Sequence, residues 1–211
     1  MMIRPNLIGP ISIDIVDLWA YISVHLVLYG IFLIVSWVIN VKASKKIEVP
    51  ETLAFCLSMV LGLIILLIYG VTLTTVKGMM LTLLLLYASI SDLETRKVPD
   101  CVTMMIFILS FVGFSTDDLL SMIIGAVIVF IPQFTLAIIK PSRAFGGADL
   151  KISTALAFLL GAEKGTFVLI VGMLLAVIFM AIYNRVNAKD QKEAFPLVPF
   201  LSVGAMLAYL I

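Results

Sequence analysis

Charge is scarce in this chain, and so are cysteine and histidine. Charged residues make up 13% of its 211 positions, against 63% hydrophobic ones, and mean hydropathy is +1.21. Soluble domains carry about 25% charged residues, so a water-facing fold is excluded. The only cysteines, Cys56 and Cys101, are far apart and form no C-x-x-C motif, which excludes a zinc ribbon and leaves no disulfide framework to argue. His25, the single histidine, has no clustered partner and reads as a packed or interfacial residue, so no metal or other cofactor is expected. A net charge of +1 gives no sign of a nucleic-acid partner. Asp14 and Asp17 precede a first apolar run too long for a cleavable secretory signal.

What is present is a succession of apolar runs: Leu18–Val41, Leu53–Gly70, Gly78–Ser91, Cys101–Phe114, Leu119–Ile139, Leu150–Leu160, Thr166–Tyr183 and Leu197–Ile211. They predict an all-α, polytopic integral membrane bundle of about eight transmembrane helices, forming one unit over residues 1–211. A bilayer core of about 30 Å needs roughly 20 helical residues. The first, second, fifth and seventh runs approach that, whereas the third, fourth and sixth are short. Short helices beside polar backbone are tolerated where they line a water-filled cavity.

Loop charge predicts orientation, because cytoplasmic loops concentrate Lys and Arg. One set of alternate loops holds Lys42, Lys45, Lys46, Arg96, Lys97, Lys140, Arg143, Lys151, Arg185, Lys189 and Lys192; the other holds Arg4, Lys77 and Lys164. Eight crossings with both termini outside follow. Among smaller signals, Trp19 and Trp37 read as interfacial anchors, Pro132 as a kink in the fifth helix, and Asp117-Asp118 as its dipole-favoured start. Gly161 and Gly165, with Glu163 and Lys164 between them, read as a turn.

Against this background Asp92 and Asp149 stand out, since an ionisable group at membrane depth costs several kcal/mol by most scales and marks function. The predicted topology puts both on the cytoplasmic side. Asp149 closes Gly146-Gly147-Ala148-Asp149, where adjacent glycines permit a tight backbone and a carboxylate at a helix start is dipole-favoured. Asp92 ends an apolar run and is followed by Leu93-Glu94-Thr95-Arg96-Lys97-Val98-Pro99; an Asp92–Arg96 pair at i,i+4 is the plain structural reading. Pro196 and Pro199 open the last run and would hold its start irregular, although prolines are also ordinary in a first helical turn.

In order and phrasing these elements resemble the type IV prepilin peptidases and the related archaeal preflagellin peptidases. Asp92 with Thr95-Arg96-Lys97-Val98-Pro99 resembles the family's D-x-x-T-x-x-I-P, Gly146-Gly147-Ala148-Asp149-Leu150-Lys151 its G-x-G-D-V-K, and Pro196-Leu197-Val198-Pro199-Phe200 its P-x-x-P-F. The resemblance covers roughly residues 85–211. It implies a membrane aspartyl endopeptidase with Asp92 and Asp149 as catalytic pair, and Gly146, Gly147, Ala148, Lys151, Arg96 and Pro199 as supporting or substrate-contacting residues. Residues 1–77 would be leading helices and 78–211 the catalytic core. The implied partner, besides the lipid bilayer, is a prepilin- or preflagellin-like precursor whose short basic leader is removed at the cytoplasmic face of a prokaryotic cytoplasmic membrane. Ala148 stands where many members have Gly, which fits the looser archaeal-type motif. The loop Lys42–Thr52 lacks the paired C-x-x-C motifs of the bifunctional enzymes, so N-methylation with S-adenosylmethionine is not expected.

Paired carboxylates a few ångström apart cannot both ionise. In the implied mechanism one takes a proton from the attacking water while the other donates to the scissile carbonyl and then to the leaving amine. Glu48, Glu51, Glu94 and Asp100 lie on the side a basic leader would approach, although solvated loop charge explains them equally. Two alternatives are an intramembrane protease resembling presenilin or signal peptide peptidase, and a small ion- or proton-coupled transporter using Asp92 and Asp149. The first lacks its Pro-Ala-Leu here. The second normally shows repeat symmetry and midplane carboxylates.

Overall fold

The computed structural model of the chain describes residues 15–44, 51–139, 146–187 and 196–211. Within them lie α1 (Ile15–Ser44), α2 (Glu51–Tyr69), α3 (Leu73–Thr95), α4 (Asp100–Leu109), a 3-10 turn (Thr116–Asp118), α5 (Leu119–Ile139), α6 (Gly147–Asn187) and α7 (Val198–Leu210), with no strand among the described residues. By length and composition Leu73–Thr95, Thr116–Ile139 and Gly147–Arg185 are able to cross a membrane, and Ile22–Val38 of α1, Ala54–Tyr69 of α2, Asp100–Leu109 and Val198–Leu210 are shorter apolar stretches among the described residues. Large apolar side chains such as Leu67, Met104, Leu120, Ile138 and Val177 face outward. That is the surface a lipid-embedded bundle presents, since its backbone polar groups are satisfied within each helix.

The break in α6 organises the bundle. Gly161 has φ 82° and ψ −178°, a conformation essentially reserved for glycine. Eight residues of unbroken helix span about 12 Å, yet a Cβ added at Gly165 would lie 2.6 Å from the Cα of Ala157. The chain therefore doubles back at Gly161 into two arms, 147–160 and 162–187. Ser121 Oγ accepts the Ala162 N–H at 3.1 Å, satisfying a donor that a fresh helix start leaves open. Counted as two arms, α6 brings the helical segments to the eight read as apolar runs. Gly161 is the expected turn, whereas Gly165 is a packing contact inside the second arm.

Small residues bring these helices close. A Cβ at Gly125 would meet the Gly161 carbonyl at 2.8 Å, and one at Gly204 would meet the Val168 carbonyl oxygen at 2.9 Å. In lipid such close backbone approach replaces the hydrophobic effect as the source of helix association. A single buried cluster then joins α2 (Ile65), α3 (Leu81, Leu85), α4 (Ile106), the first arm of α6 (Ile152, Leu156) and α7 (Leu201).

One expectation needs correction. The third run, read as a short helix over 78–91, is a 23-residue helix, about 35 Å long. Its start is hidden in a threonine-rich stretch: Thr72 caps it, accepting the Thr75 N–H at 3.3 Å. Its far end extends past Asp92 to Thr95, where Arg96 turns left-handed (φ 53°) and donates its N–H to the Asp92 carbonyl at 3.0 Å. The short helices among the described residues are α4, with 10 residues, α7, with 13, and the first arm of α6. Arg4, Lys45, Lys46, Glu48, Lys140, Arg143, Phe145, Lys189 and Lys192 lie outside the described residues, as does most of the loop Lys42–Thr52.

Candidate functional site

The last turn of α3 and the first turn of α7 meet at one end of the bundle. Asp92, 4% exposed, lies in that last turn, and its Oδ2 accepts the Val198 N–H at 3.1 Å. The donor is available for a local reason. The first N–H groups of a helix have no partner within it, and Pro199, placed just after Val198 in α7, has no N–H at all. The P-x-x-P segment thus aims one backbone donor, at the positive end of a helix dipole, at Asp92. Two serines hold the register: Ser89 Oγ donates to Ser202 Oγ at 2.9 Å, and Ser202 Oγ to the Val198 carbonyl at 2.9 Å.

The turn after Asp92 is closed by its own side chains. Thr95 Oγ1 donates to the Ser91 carbonyl at 2.9 Å and lies 3.0 Å from the Lys97 carbonyl, to which Ser91 Oγ donates at 2.8 Å. Arg96 acts on Asp92 electrostatically, but from the left-handed residue beyond the helix end rather than as an i,i+4 neighbour on its surface.

Asp149, 9% exposed, occupies the first turn of α6. Its Oδ2 accepts the Gly146 N–H at 3.2 Å, and the Leu150 N–H returns to the Gly146 carbonyl at 3.2 Å. A Cβ at Gly146 would sit 2.9 Å from Asp149 Oδ2, whereas one at Gly147 would meet nothing within 4 Å. Ala148 packs against the buried cluster. Asp92 lies near enough for its charge to act on Asp149. Each of the two sequence-separated carboxylates is bound by a backbone N–H and largely shut off from water.

Lys151 is placed elsewhere. Its Nζ lies 2.7 Å from Asp100 Oδ1 with both side chains exposed, so it pins the start of α4 to α6 with a pair worth about 0–1 kcal/mol. Three features of the site were not expected from sequence. One is the Val198 N–H. Another is Glu94, whose Oε1 is buried without a partner among the described residues, unlike a solvated loop charge. The third is Gln133 of α5, whose Oε1 accepts from Ser153 Oγ at 3.0 Å; a lone Gln in the apolar run Leu119–Ile139 was the available signal. An apolar cleft of about 340 Å³ begins beside Asp149, at Leu150, and runs between α4, α5 and α6 along Phe107, Phe130, Thr154 and Phe158. A second cavity, of about 400 Å³, lies at the other end among Lys77, Ser121, Gly161 and Tyr209, remote from both carboxylates.

Residues 79–181, a stretch that holds both Asp92 and Asp149, match the model of the type IV leader peptidase family. The segment belongs to that family. The match supports a type IV leader peptidase-like protease and ends before α7, so the Val198 contact is read from this chain's geometry alone. No curated protein and no solved structure gave a match.

Proposed function

We propose that the protein is a membrane aspartyl endopeptidase that removes the short basic leader of prepilin-like precursors at the cytoplasmic face of a prokaryotic cytoplasmic membrane. The observation that carries this reading is the pair of buried carboxylates, Asp92 and Asp149, each held by a backbone N–H and within electrostatic reach of one another at one end of an apolar bundle. Neither carboxylate has the packing of a surface charge, and the family match makes peptide hydrolysis the chemistry to which they are suited.

The reaction follows from their electrostatics. With one proton between two adjacent carboxylates, the ionised member removes a proton from a water as the water oxygen bonds to the scissile carbonyl carbon. The protonated member gives its proton to the carbonyl oxygen. Collapse of the tetrahedral intermediate breaks the C–N bond: the leaving amine takes the proton that the base collected, and one hydroxyl of the intermediate returns its proton to the other carboxylate as the new carbonyl forms, which restores the one-proton pair. Both backbone bonds use Oδ2, and in this mechanism Oδ1 of each carboxyl is the oxygen that meets the reactants. Gly146, Ala148 and Pro199 act through these contacts, and Arg96 through its charge beside Asp92. The apolar helix that follows a leader would leave the site toward lipid, on the side where the cleft beside Leu150 opens. The proposal is confined to the peptidase step and needs no cofactor.

The test is cleavage of a prepilin-like reporter in membranes carrying the wild type, Asp92→Asn or Asp149→Asn. Loss of a positioned acid or base costs about 10²–10⁴-fold, so each variant should lose cleavage by at least a hundredfold with expression and helicity unchanged. Near-normal cleavage by either would sink the two-carboxylate assignment. Carboxylate-dependent ion flux in liposomes without cleavage would favour the transporter instead.

A further inference from the structure

Gln133 is 2% exposed, yet its Nε2 has no partner among the described residues. Burying an amide donor unpaired is costly, and such a group in a folded protein calls for an explanation. The carboxamide has two N–H donors as well as its carbonyl oxygen. Its anchor, Ser153, also lies 3.1 Å from the Leu150 carbonyl and has one hydroxyl proton to give. Whichever way the carboxamide is turned, at least one amide N–H is left over.

Its position gives the spare donor a use. Ser153 follows Asp149 by four residues on the first arm of α6 and so lies on the same face, about 6 Å deeper. Gln133 itself follows Pro132, which removes a backbone hydrogen bond from α5. An uncharged donor at that depth suits a peptide carbonyl: it gives a hydrogen bond without adding a charge next to the carboxylate pair. A chain in extended form advances about 3.3 Å per residue, so 6 Å corresponds to roughly two residues.

We propose that Gln133 is a substrate-binding residue, its carboxamide tethered by Ser153 and donating to a precursor backbone carbonyl about two residues from the scissile bond on the membrane side. This rests on the peptidase reading above and adds to it the group that holds the chain being cut.

The experiment compares wild type, Gln133→Met and Gln133→Asn, purified as full chains in detergent, for reporter kinetics and for thermal unfolding. Met matches the shape of Gln and has no donor to leave unpaired. Q133M should therefore lower kcat/KM about tenfold, mostly through KM, while its unfolding midpoint stays the same or rises. Q133N keeps the amide but retracts it by one methylene, and should fall between the two. Wild-type kinetics in Q133M overturn the proposal. So does a loss of activity matched by a fall in midpoint, or a failure of Q133M to fold, because the amide then serves only to join α5 to α6. If wild type does not cleave, or if Asp92→Asn and Asp149→Asn cleave as well as it does, the peptidase reading is what has failed.

Discussion

Gly146 and Gly147 are adjacent, both exposed, and neither has a positive φ, so alanine is allowed by the backbone at each. Their surroundings differ. A Cβ at Gly146 falls 2.9 Å from Asp149 Oδ2, closer than real Cβ contacts come, while a Cβ at Gly147 has open space. In Gly146→Ala the carboxyl must swing aside, because among the described residues it is the group the new Cβ meets within 4 Å. Swinging weakens the 3.2 Å bond from the Gly146 N–H. A hydrogen bond to a charged group is worth about 1.5–3 kcal/mol, and at about 1.4 kcal/mol per tenfold in rate its loss corresponds to about a tenfold to hundredfold fall in kcat/KM. The loss should appear mainly in kcat, since in the proposed mechanism Asp149 acts on the reacting atoms. Gly147→Ala should stay within about twofold, and reduced freedom of the unfolded chain should make it slightly more stable, by about 0.4–1 kcal/mol. Both numbers come from reporter kinetics and thermal unfolding on the purified chain. Wild-type activity in Gly146→Ala would refute the positional argument. An equal fall in Gly147→Ala would show instead that the loop needs flexibility at both glycines.

Lys151→Ala and Asp100→Ala break an exposed ion pair, so each should cost no more than about 1 kcal/mol of stability and leave kcat/KM within about threefold; a tenfold or greater loss for Lys151→Ala alone would mean that the lysine acts on Asp149 directly. Gly161→Ala places a side chain in a glycine-only conformation and a Cβ 2.8 Å from Ser121 Oγ. It should destabilise by about 1–3 kcal/mol, read as a lowered midpoint of thermal unfolding, and an unchanged midpoint would show that the reversal of α6 tolerates a side chain.

The order of the helices was legible because lipid imposes one requirement, runs of apolar residues, and every described helix satisfies it. An action of Asp92 on Asp149 was approachable too. Once loop charge put both on one side, helices of bilayer length could bring their ends together. What sequence could not show was backbone. Asp92 is bound by the N–H of Val198, which leaves no mark on residue identity except through its neighbour Pro199, whose lack of an N–H had suggested only an irregular helix start. The ends of α3 were misplaced for a related reason. Threonines at 72, 74 and 75 look like loop, yet Thr72 caps a helix through its hydroxyl, and the polar residues after Asp92 stay helical because Thr95 bonds back to Ser91.

Gln133 marks a different limit. A search for ionisable residues at membrane depth finds Asp92 and Asp149 and passes over a neutral amide, although burying that amide in apolar surroundings carries a desolvation cost of the same kind. Only the structure shows that Ser153 takes one end of it while the other has no partner among the described residues. Glu94 repeats the pattern two residues from Asp92, with one carboxylate oxygen buried and unmatched. Under the proposed function, buried polar atoms without a partner among the described residues are what a site for a polar backbone would contain before that backbone arrives.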